Sequence, residues 1–401
     1  MKSLLILGRQ PALGLAELES LYGAPALVSL GDQAVIVDVE ASTIPFYRLG
    51  GATKLCSVIH ELDTTDWRKI EKFLMQAAPK HAEQLPEGKL TLGLSVQGFT
   101  VNIRQLEATG LNLKKVIRRS GRSVRLVPNK ELELNTAQVH HNKLTSPMGW
   151  ELVIITDGDR TVIGQTVAVQ DIASYTYRDR ERPKRDARVG MLPPKLAQIL
   201  VNLAVGPLAE VPEPAGQVIL DPFCGTGVLL QEAALMGYTP YGTDLEQRMI
   251  DYSATNLDWL NQQYRLDLPA DFARLAKGDA TNLVWEQPVH YVAGETYLGK
   301  PFTSAPAAEA LAQTVADCNL IIKKFLRNIA GQIPSGTRFC LAIPAWATPN
   351  GQNKFKLLPL VDQISDLGYN RVSFEHAGDD ELIYFRPDQY VARQLLVIIK
   401  Q

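Results

Sequence analysis

The chain carries only four cysteines among 401 residues, Cys56, Cys224, Cys318 and Cys340, and no two of them form a CxxC pair. That spacing argues against a disulfide framework and a thiolate zinc site, and it fits a reducing, cytoplasmic setting. Histidine is also sparse. Of six, only His140 and His141 are neighbours, and neither has a turn-spaced partner or carboxylate, so no metal is expected. No apolar stretch approaches the roughly 18 residues that a membrane span requires, so no membrane partner is expected. The opening run Leu4-Leu5-Ile6-Leu7 is stopped by Gly8, Arg9 and Pro11 with no small-residue cleavage site. It reads as a first β-strand rather than a signal peptide. Repeats and biased tracts are missing too. With 46% hydrophobic and 21% charged residues this is an ordinary globular composition, on a chain long enough for two or three domains.

A net charge of −2 would argue against a nucleic-acid partner if the charge were evenly spread, and it is not. Between Leu106 and Lys130, the cations Lys114, Lys115, Arg118, Arg119, Arg122, Arg125 and Lys130 face the single acid Glu107. Leu111, Leu113, Val116 and Ile117 interleave with them, so residues 106–119 read as an amphipathic helix. Ser120-Gly121 stops it, and Ser123–Val127 alternates like a strand. Charge of one sign with almost no counter-charge favours a phosphate-facing surface, although a solvated helix face has the same composition.

The most informative stretch lies further on. Val218-Ile219-Leu220 is a short apolar run that ends in Asp221 and continues as Pro222-Phe223-Cys224-Gly225-Thr226-Gly227, before the helical pattern Val228–Ala234. A strand, a glycine bend and a helix start leave a bare concave backbone for a nucleotide-like ligand. Asp221 would repel a dinucleotide's pyrophosphate, but it suits a cationic amine such as the aminoacyl end of S-adenosylmethionine. A methyl donor is therefore the expected cofactor, ahead of a nicotinamide cofactor. A second strand, Tyr238–Thr243, delivers Asp244 at the distance where a carboxylate can accept both ribose hydroxyls. A third, ending Leu275-Ala276-Lys277-Gly278, delivers Asp279-Ala280. That acid can accept from an adenine amino group while neighbouring backbone amides read the ring edge. One strand-end aspartate is often only a helix cap; three on consecutive strand ends point to a shared ligand.

Around this core, residues 1–60 read as strand Leu4–Leu7, helix Gly14–Leu21, strand Ala34–Asp38, a helix near Ile44–Leu49 and strand Lys54–Ile59. Leu152–Ile155 and Thr161–Val169 read as a hairpin across Asp157-Gly158-Asp159. Residues 170–195 mix charge and tyrosine, close on Pro193-Pro194 and look like a connector. From Lys195 onward strands alternate with helices, the pattern of a mostly parallel sheet covered on both faces. Arg338–Ile343 reads as a strand running into Pro344-Ala345-Trp346, with Trp346 a packing residue. Arg371–Glu375, Leu382–Phe385 and Leu395–Ile399 read as closing strands.

The signature Asp221-Pro222-Phe223-Cys224-Gly225-Thr226-Gly227 resembles that of amino-group RNA and DNA methyltransferases. The connector is more specific. Gln170-Asp171-Ile172, Tyr175, Arg178-Asp179, Arg182-Pro183, Asp186 and Gly190-Met191-Leu192-Pro193-Pro194-Lys195-Leu196-Ala197-Gln198 resemble the junction of THUMP-domain tRNA guanosine-N2 methyltransferases. Leu5 to Leu13 with Ala16-Glu17-Leu18 is similar to that family's start. The resemblance implies an α/β chain: a C-terminal Rossmann-like class I methyltransferase domain, mostly parallel with an antiparallel last strand, preceded by α+β ferredoxin-like and THUMP domains. The implied boundaries are 1–60 ferredoxin-like, 61–168 THUMP, 169–193 linker and 194–401 methyltransferase. It implies S-adenosylmethionine held by Asp221, Phe223, Gly225, Gly227, Asp244, Asp279 and Ala280. The implied substrate is the N2 amine of a guanosine near position 10 of tRNA, gripped in part by Lys114, Lys115, Arg118, Arg119, Arg122 and Arg125. Monomer and homodimer are both compatible, and no helper subunit is demanded.

The chain departs from the family at one element. Where the family has Asp-Pro-Pro-Tyr or Asn-Pro-Pro-Tyr after the fourth strand, this chain has Glu295-Thr296-Tyr297-Leu298, without proline. Glu295, one methylene longer, stands in for the amine acceptor and Tyr297, shifted by one position, for the stacking ring. A guanine amine is a poor nucleophile, so positioning supplies most of the acceleration, and such a pair suffices for it. The alternatives are an RNA-binding protein that has lost catalysis, and an amino-methyltransferase acting on another RNA or on DNA.

Overall fold

The computed structural model describes residues 2–401 except 187–190, 270, 287, 301, 303–305 and 349–354; Gly190 of the junction lies outside the described residues. The chain divides into two compact units, and neither is contiguous. One holds Met1–Pro11, Pro25–Tyr47 and Ala52–Ile172; the other holds Ala12–Ala24, Arg48–Gly51 and Ala173–Gln401.

In the first unit eight strands form one sheet: β1 (Ser3–Leu7), β2 (Leu27–Leu30), β3 (Ala34–Val37), β4 (Ala52–Leu62), β5 (Leu90–Gln97), β6 (Val124–Leu126), β7 (Gly149–Asp157) and β8 (Arg160–Val169). Their order is β2-β3-β1-β4-β8-β7-β5-β6. β4 pairs antiparallel with both β1 and β8, so the strands of residues 1–60 and of 61–168 share one sheet instead of forming two. The chain's first helix, α1 (Pro11–Tyr22), groups with the second unit. Helices α2 (Trp67–Gln84), α3 (Ile103–Arg119) and α4 (Thr136–His141) belong to the first.

The Asp66 carboxylate caps α2 by accepting from the Arg68 amide at 2.9 Å. Ile70, Leu74, Ala78 and Ala82, four residues apart, form its buried stripe. α3 starts on a capping box between Asn102 and Gln105, and buries Leu106, Leu113 and Ile117. Gly121, at φ +94°, ends it in a conformation that suits glycine. Residues 44–49 are not a helix. Pro45 removes an amide and only a 3-10 turn forms at Phe46–Arg48.

The second unit contains α5 (Ile172–Arg180), which makes part of the expected linker helical. It continues with α6 (Pro194–Val205), β9 (Val218–Asp221), α7 (Val228–Leu235), β10 (Thr239–Asp244), α8 (Gln247–Tyr264), β11 (Arg274–Lys277), β12 (Tyr291–Glu295) and α9 (Ala308–Ala330). The last strands are β13 (Arg338–Ala347), β14 (Phe355–Lys356), β15 (Tyr369–Arg371), β16 (Ile383–Tyr384) and β17 (Val391–Lys400). The sheet runs β11-β10-β9-β12-β13-β17-β15. The first five strands are mutually parallel; β17 is antiparallel to both β13 and β15. Residues 372–375 are not strand, so the expected run Arg371–Glu375 is reduced to β15. Trp346 is buried in the core beside Phe325 and Phe339.

Glu17 explains why α1 belongs here. It is fully buried, and its carboxylate accepts from the Gly50 amide (2.9 Å), the Gly51 amide (2.8 Å) and Asn202 Nδ2 (2.7 Å). Burial pushes this carboxyl up to about 7, against the pull of those three donors and of Arg48. Gly51 must be glycine: a Cβ would lie 2.4 Å from Gly14 Cα.

Candidate cofactor and catalytic site

In the parallel sheet the strand order reverses between β9 and β12, and in open α/β sheets ligands bind outside the carboxyl ends of the strands at such a switch point. Asp221 closes β9 there. It is buried, and its Oδ1 accepts from the Phe223 amide at 3.1 Å. Gly294 of β12 passes so close that a Cβ would lie 2.5 Å from the same oxygen. Burial pushes this carboxyl well above the usual range, and the nearby charges of Asp244 and Glu295 raise it further. No ion pair to Asp221 occurs among the described residues. A buried acid in this state is stabilised by an incoming cation.

The glycine turn follows. Gly225 (φ +51°) and Gly227 (φ +78°) adopt left-handed conformations. A Cβ on Gly225 would meet nothing within 4 Å, whereas one on Gly227 would meet Ser253 Oγ at 2.8 Å. One face of the turn is thus open and the other is packed. α8 braces the packed side: Ser253 Oγ donates to the Gly225 carbonyl (2.9 Å) and Asn256 Nδ2 to the Thr226 carbonyl (2.8 Å). Asn256 also binds the backbone of Lys184 through both amide atoms, so the connector is tied to the turn.

Asp244 ends β10 with Oδ2 accepting from the Gly225 amide (3.0 Å) and Oδ1 from the Glu246 amide (2.9 Å). Burial raises its carboxyl, opposed by these amides. Leu245 beside it is 65% exposed, a large apolar side chain left facing outward next to the acid. Asp279, beyond β11, accepts from the Thr281 amide at 2.9 Å. Ala280 is buried and its carbonyl accepts from Asn328 Nδ2 (3.0 Å). Phe223 stands edge-on to Phe325, ring centroids 5.3 Å apart.

Glu295 closes β12, and its Oε1 accepts from Arg393 Nε of β17 at 2.5 Å. Thr296 is pinned behind it by its amide bond to the Ala342 carbonyl (3.0 Å). Tyr297 is 39% exposed; burial of its hydroxyl end, with Cys318 and Asp317 of α9 nearby, raises its phenol.

The basic residues all lie in the first unit. On α3, Lys115, Arg118 and Arg119 are exposed and Lys114 is half-buried, opposite the Leu106–Leu113–Ile117 stripe. None of the four forms an ion pair among the described residues. Arg122 differs: its guanidinium donates to the carbonyls of Ala82, Leu85 and Pro86 at the end of α2, which makes it a packing arginine. Arg125 is exposed and donates to Asn142 Oδ1. No group of three or more His, Cys, Asp and Glu side chains is placed to hold a metal ion among the described residues.

Arg393, Ser253, Asn256 and Gly294 carry no motif. The sign that exists is compositional: Arg393-Gln394 is a polar pair inside a strand, Val391–Lys400, that is otherwise apolar up to its last residue, and Ser253 and Asn256 are polar residues one turn apart on the buried face of α8.

Residues 182–318 match the family model UPF0020, described as an RMKL-like methyltransferase domain. The chain is 29% identical over 198 residues to the tRNA (guanine(10)-N2)-dimethyltransferase of Methanothermobacter thermautotrophicus, covering 49% of this chain and 51% of that protein. It is 39% identical over 87 residues to the protein of the same name from Methanocaldococcus jannaschii, covering 22% of this chain and 23% of the other. It thus spans about half the length of the first relative and less of the second. The solved structure of TrmN from Thermus thermophilus aligns over 100% of both chains with a TM-score of 0.50 at 16% identity. The segment that bears the glycine turn and the strand-end acids is therefore similar to methyltransferase domains, on a mixed α/β fold shared with TrmN.

Proposed function

We propose that this chain is an S-adenosylmethionine-dependent tRNA methyltransferase that acts on the exocyclic N2 amine of a guanosine, near position 10. One observation carries the reading: Asp221, Asp244 and Glu295 converge around a single glycine turn, close enough for the charges of the other two to act on buried Asp221. Such a group of acids suits a ligand with an ammonium and a sulfonium. The similarity to proteins named tRNA (guanine(10)-N2)-dimethyltransferases supports the choice of acceptor.

The residues fit the cofactor. The open side of Gly225 leaves room for it, Asp221 offers its carboxylate to the amino group, and Asp244 retains lone pairs for two ribose hydroxyls. Asp279 serves the adenine amine, with Leu245 as an apolar cover. When bound, the cofactor supplies an electrophilic methyl group on sulfur. Glu295 Oε2, which has no hydrogen-bond partner among the described residues, accepts one N–H of the guanine amine and orients its lone pair. The same oxygen takes the proton that N2 loses as it gains the methyl. Tyr297 offers its partly exposed ring to the base.

The first unit is assigned the THUMP role, contact with folded RNA through charge and shape. Lys114, Lys115, Arg118 and Arg119 are its phosphate-facing set, with Arg125 at the margin and Arg122 as their scaffold. Replacing the four together by Gln is expected to weaken tRNA binding and lower the slope of log affinity against log salt by about 3. An unchanged slope assigns α3 to a solvated surface.

The deciding experiment is mass spectrometry of nucleosides from tRNA incubated with pure protein and S-adenosylmethionine, with N2-methylated guanosine the expected product. Cofactor binding with no methylated RNA of any kind favours the reading in which Glu295-Thr296-Tyr297-Leu298 marks a lost activity.

A further inference from the structure

Glu295 has one more rotatable bond than an aspartate at the same strand end, and the structure holds it with a residue from two strands away. β12 runs parallel to β13 with Glu295 opposite Ala342; β13 runs antiparallel to β17 with Pro344 opposite Arg393. Two inter-strand spacings separate the backbones, about 9–10 Å, which two long side chains can bridge. Their meeting point is largely dry: side-chain exposure is 6% for Arg393 and 13% for Glu295. The guanidinium is fixed on its far side as well, with Nη1 3.4 Å from Gln389 Oε1 and its carbon 6.0 Å from the Tyr384 ring centroid.

Glu295 and Asp244 both lie close enough to Asp221 of β9 for their charges to act on it, and the cation paired with Glu295 among the described residues is Arg393, beside Tyr384 of β16. With Arg393 on Oε1, the Glu295 carboxylate loses rotational freedom and presents Oε2 as the acceptor that the amine needs.

We propose that Arg393 is a positioning residue for methyl transfer: its ion pair with Oε1 fixes the Glu295 carboxylate and aims Oε2 at the substrate amine. This rests on the reading of Glu295 as the amine acceptor. A shorter acid needs no such clamp, so the arginine and the longer acid form a matched pair.

The test uses the full-length protein with Arg393→Met and Arg393→Lys. Single-turnover transfer from labelled S-adenosylmethionine to tRNA is followed, with calorimetry for cofactor affinity. Arg393→Met is expected to slow transfer about a hundredfold with cofactor affinity within about twofold of wild type. Arg393→Lys, which keeps the charge but not the planar fork, is expected to recover about tenfold of the rate. A double-mutant cycle with Glu295→Gln, read by denaturant unfolding, reports the pair without any substrate and is expected to be non-additive. Additivity in the cycle or no recovery by lysine overturns the proposal. If the wild type methylates RNA and Arg393→Met matches it, the positioning role alone falls. If the wild type methylates no RNA although the cycle is non-additive, the amine-acceptor reading falls and takes the positioning role with it.

Discussion

Glu295→Ala lowers methyl transfer to tRNA by about a thousandfold and leaves cofactor and tRNA affinities within about twofold. The expectation follows from where the side chain acts. Oε2 holds the amine in line with the methyl only as the bond forms, so its loss appears in turnover and not in ground-state binding. Glu295→Gln is expected to be nearly as damaging, although it is almost isosteric. Arg393 Nε donates to Oε1, so the new amide turns its only oxygen toward the arginine and presents its NH₂ to the substrate. Two donors then face each other. A glutamine variant with near wild-type turnover would mean that the carboxylate serves only as the arginine's partner. A loss of tRNA affinity in either variant, measured by filter binding, would move Glu295 from catalysis to docking.

Asp244→Ala weakens S-adenosylmethionine binding by about 10²- to 10⁴-fold, because two ribose hydroxyls lose charge-assisted hydrogen bonds of about 1.5–3 kcal/mol each. The variant also removes the acceptor for the Gly225 amide, so the turn loses the side chain that sets its open face. Asp244→Asn keeps one carbonyl oxygen and is expected to fall between wild type and alanine. Calorimetry on the apoprotein decides the matter: unchanged affinity in Asp244→Ala refutes the ribose role, and a melting temperature measured alongside separates lost contacts from lost fold.

Much of the candidate site is legible in the chain because each acid follows an apolar strand and precedes a turn. Asp221, Asp244 and Asp279 need only that local grammar. The partners are harder to see. Arg393 is 98 residues from Glu295, and the antiparallel return of β17 that joins them is a property of the whole sheet. Pro344 shows the same limit. In sequence it reads as the end of a strand, yet β13 continues to Ala347. β12 pairs with β13 only as far as Ala342, so beyond that point the proline forfeits no ladder bond on that side. α2 is obscured by Pro79 inside it and by polar side chains at half of its 18 positions. At 44–49 the apolar residues Ile44, Phe46 and Leu49 favour a helix, and the stiffness of Pro45 limits it to one 3-10 turn. Glu17 was visible as part of a resemblance, but nothing in the residues around it indicates that it accepts from Gly50, Gly51 and Asn202.

That last carboxylate has a practical consequence. A gene cut at residue 172 to excise the C-terminal unit would leave behind α1 and the Arg48–Gly51 segment, which group with that unit. Asn202 would keep its amide aimed at a missing acid and would lose the Arg48 carbonyl that it also binds, while the apolar face of α6 that packs on Leu13 and Ala16 would be stripped bare. Swapping a foreign N-terminal module onto this scaffold therefore requires grafting those two short insertions as well; the seam between the halves is interleaved in the gene, and shuffling at a single crossover cuts through a folded core.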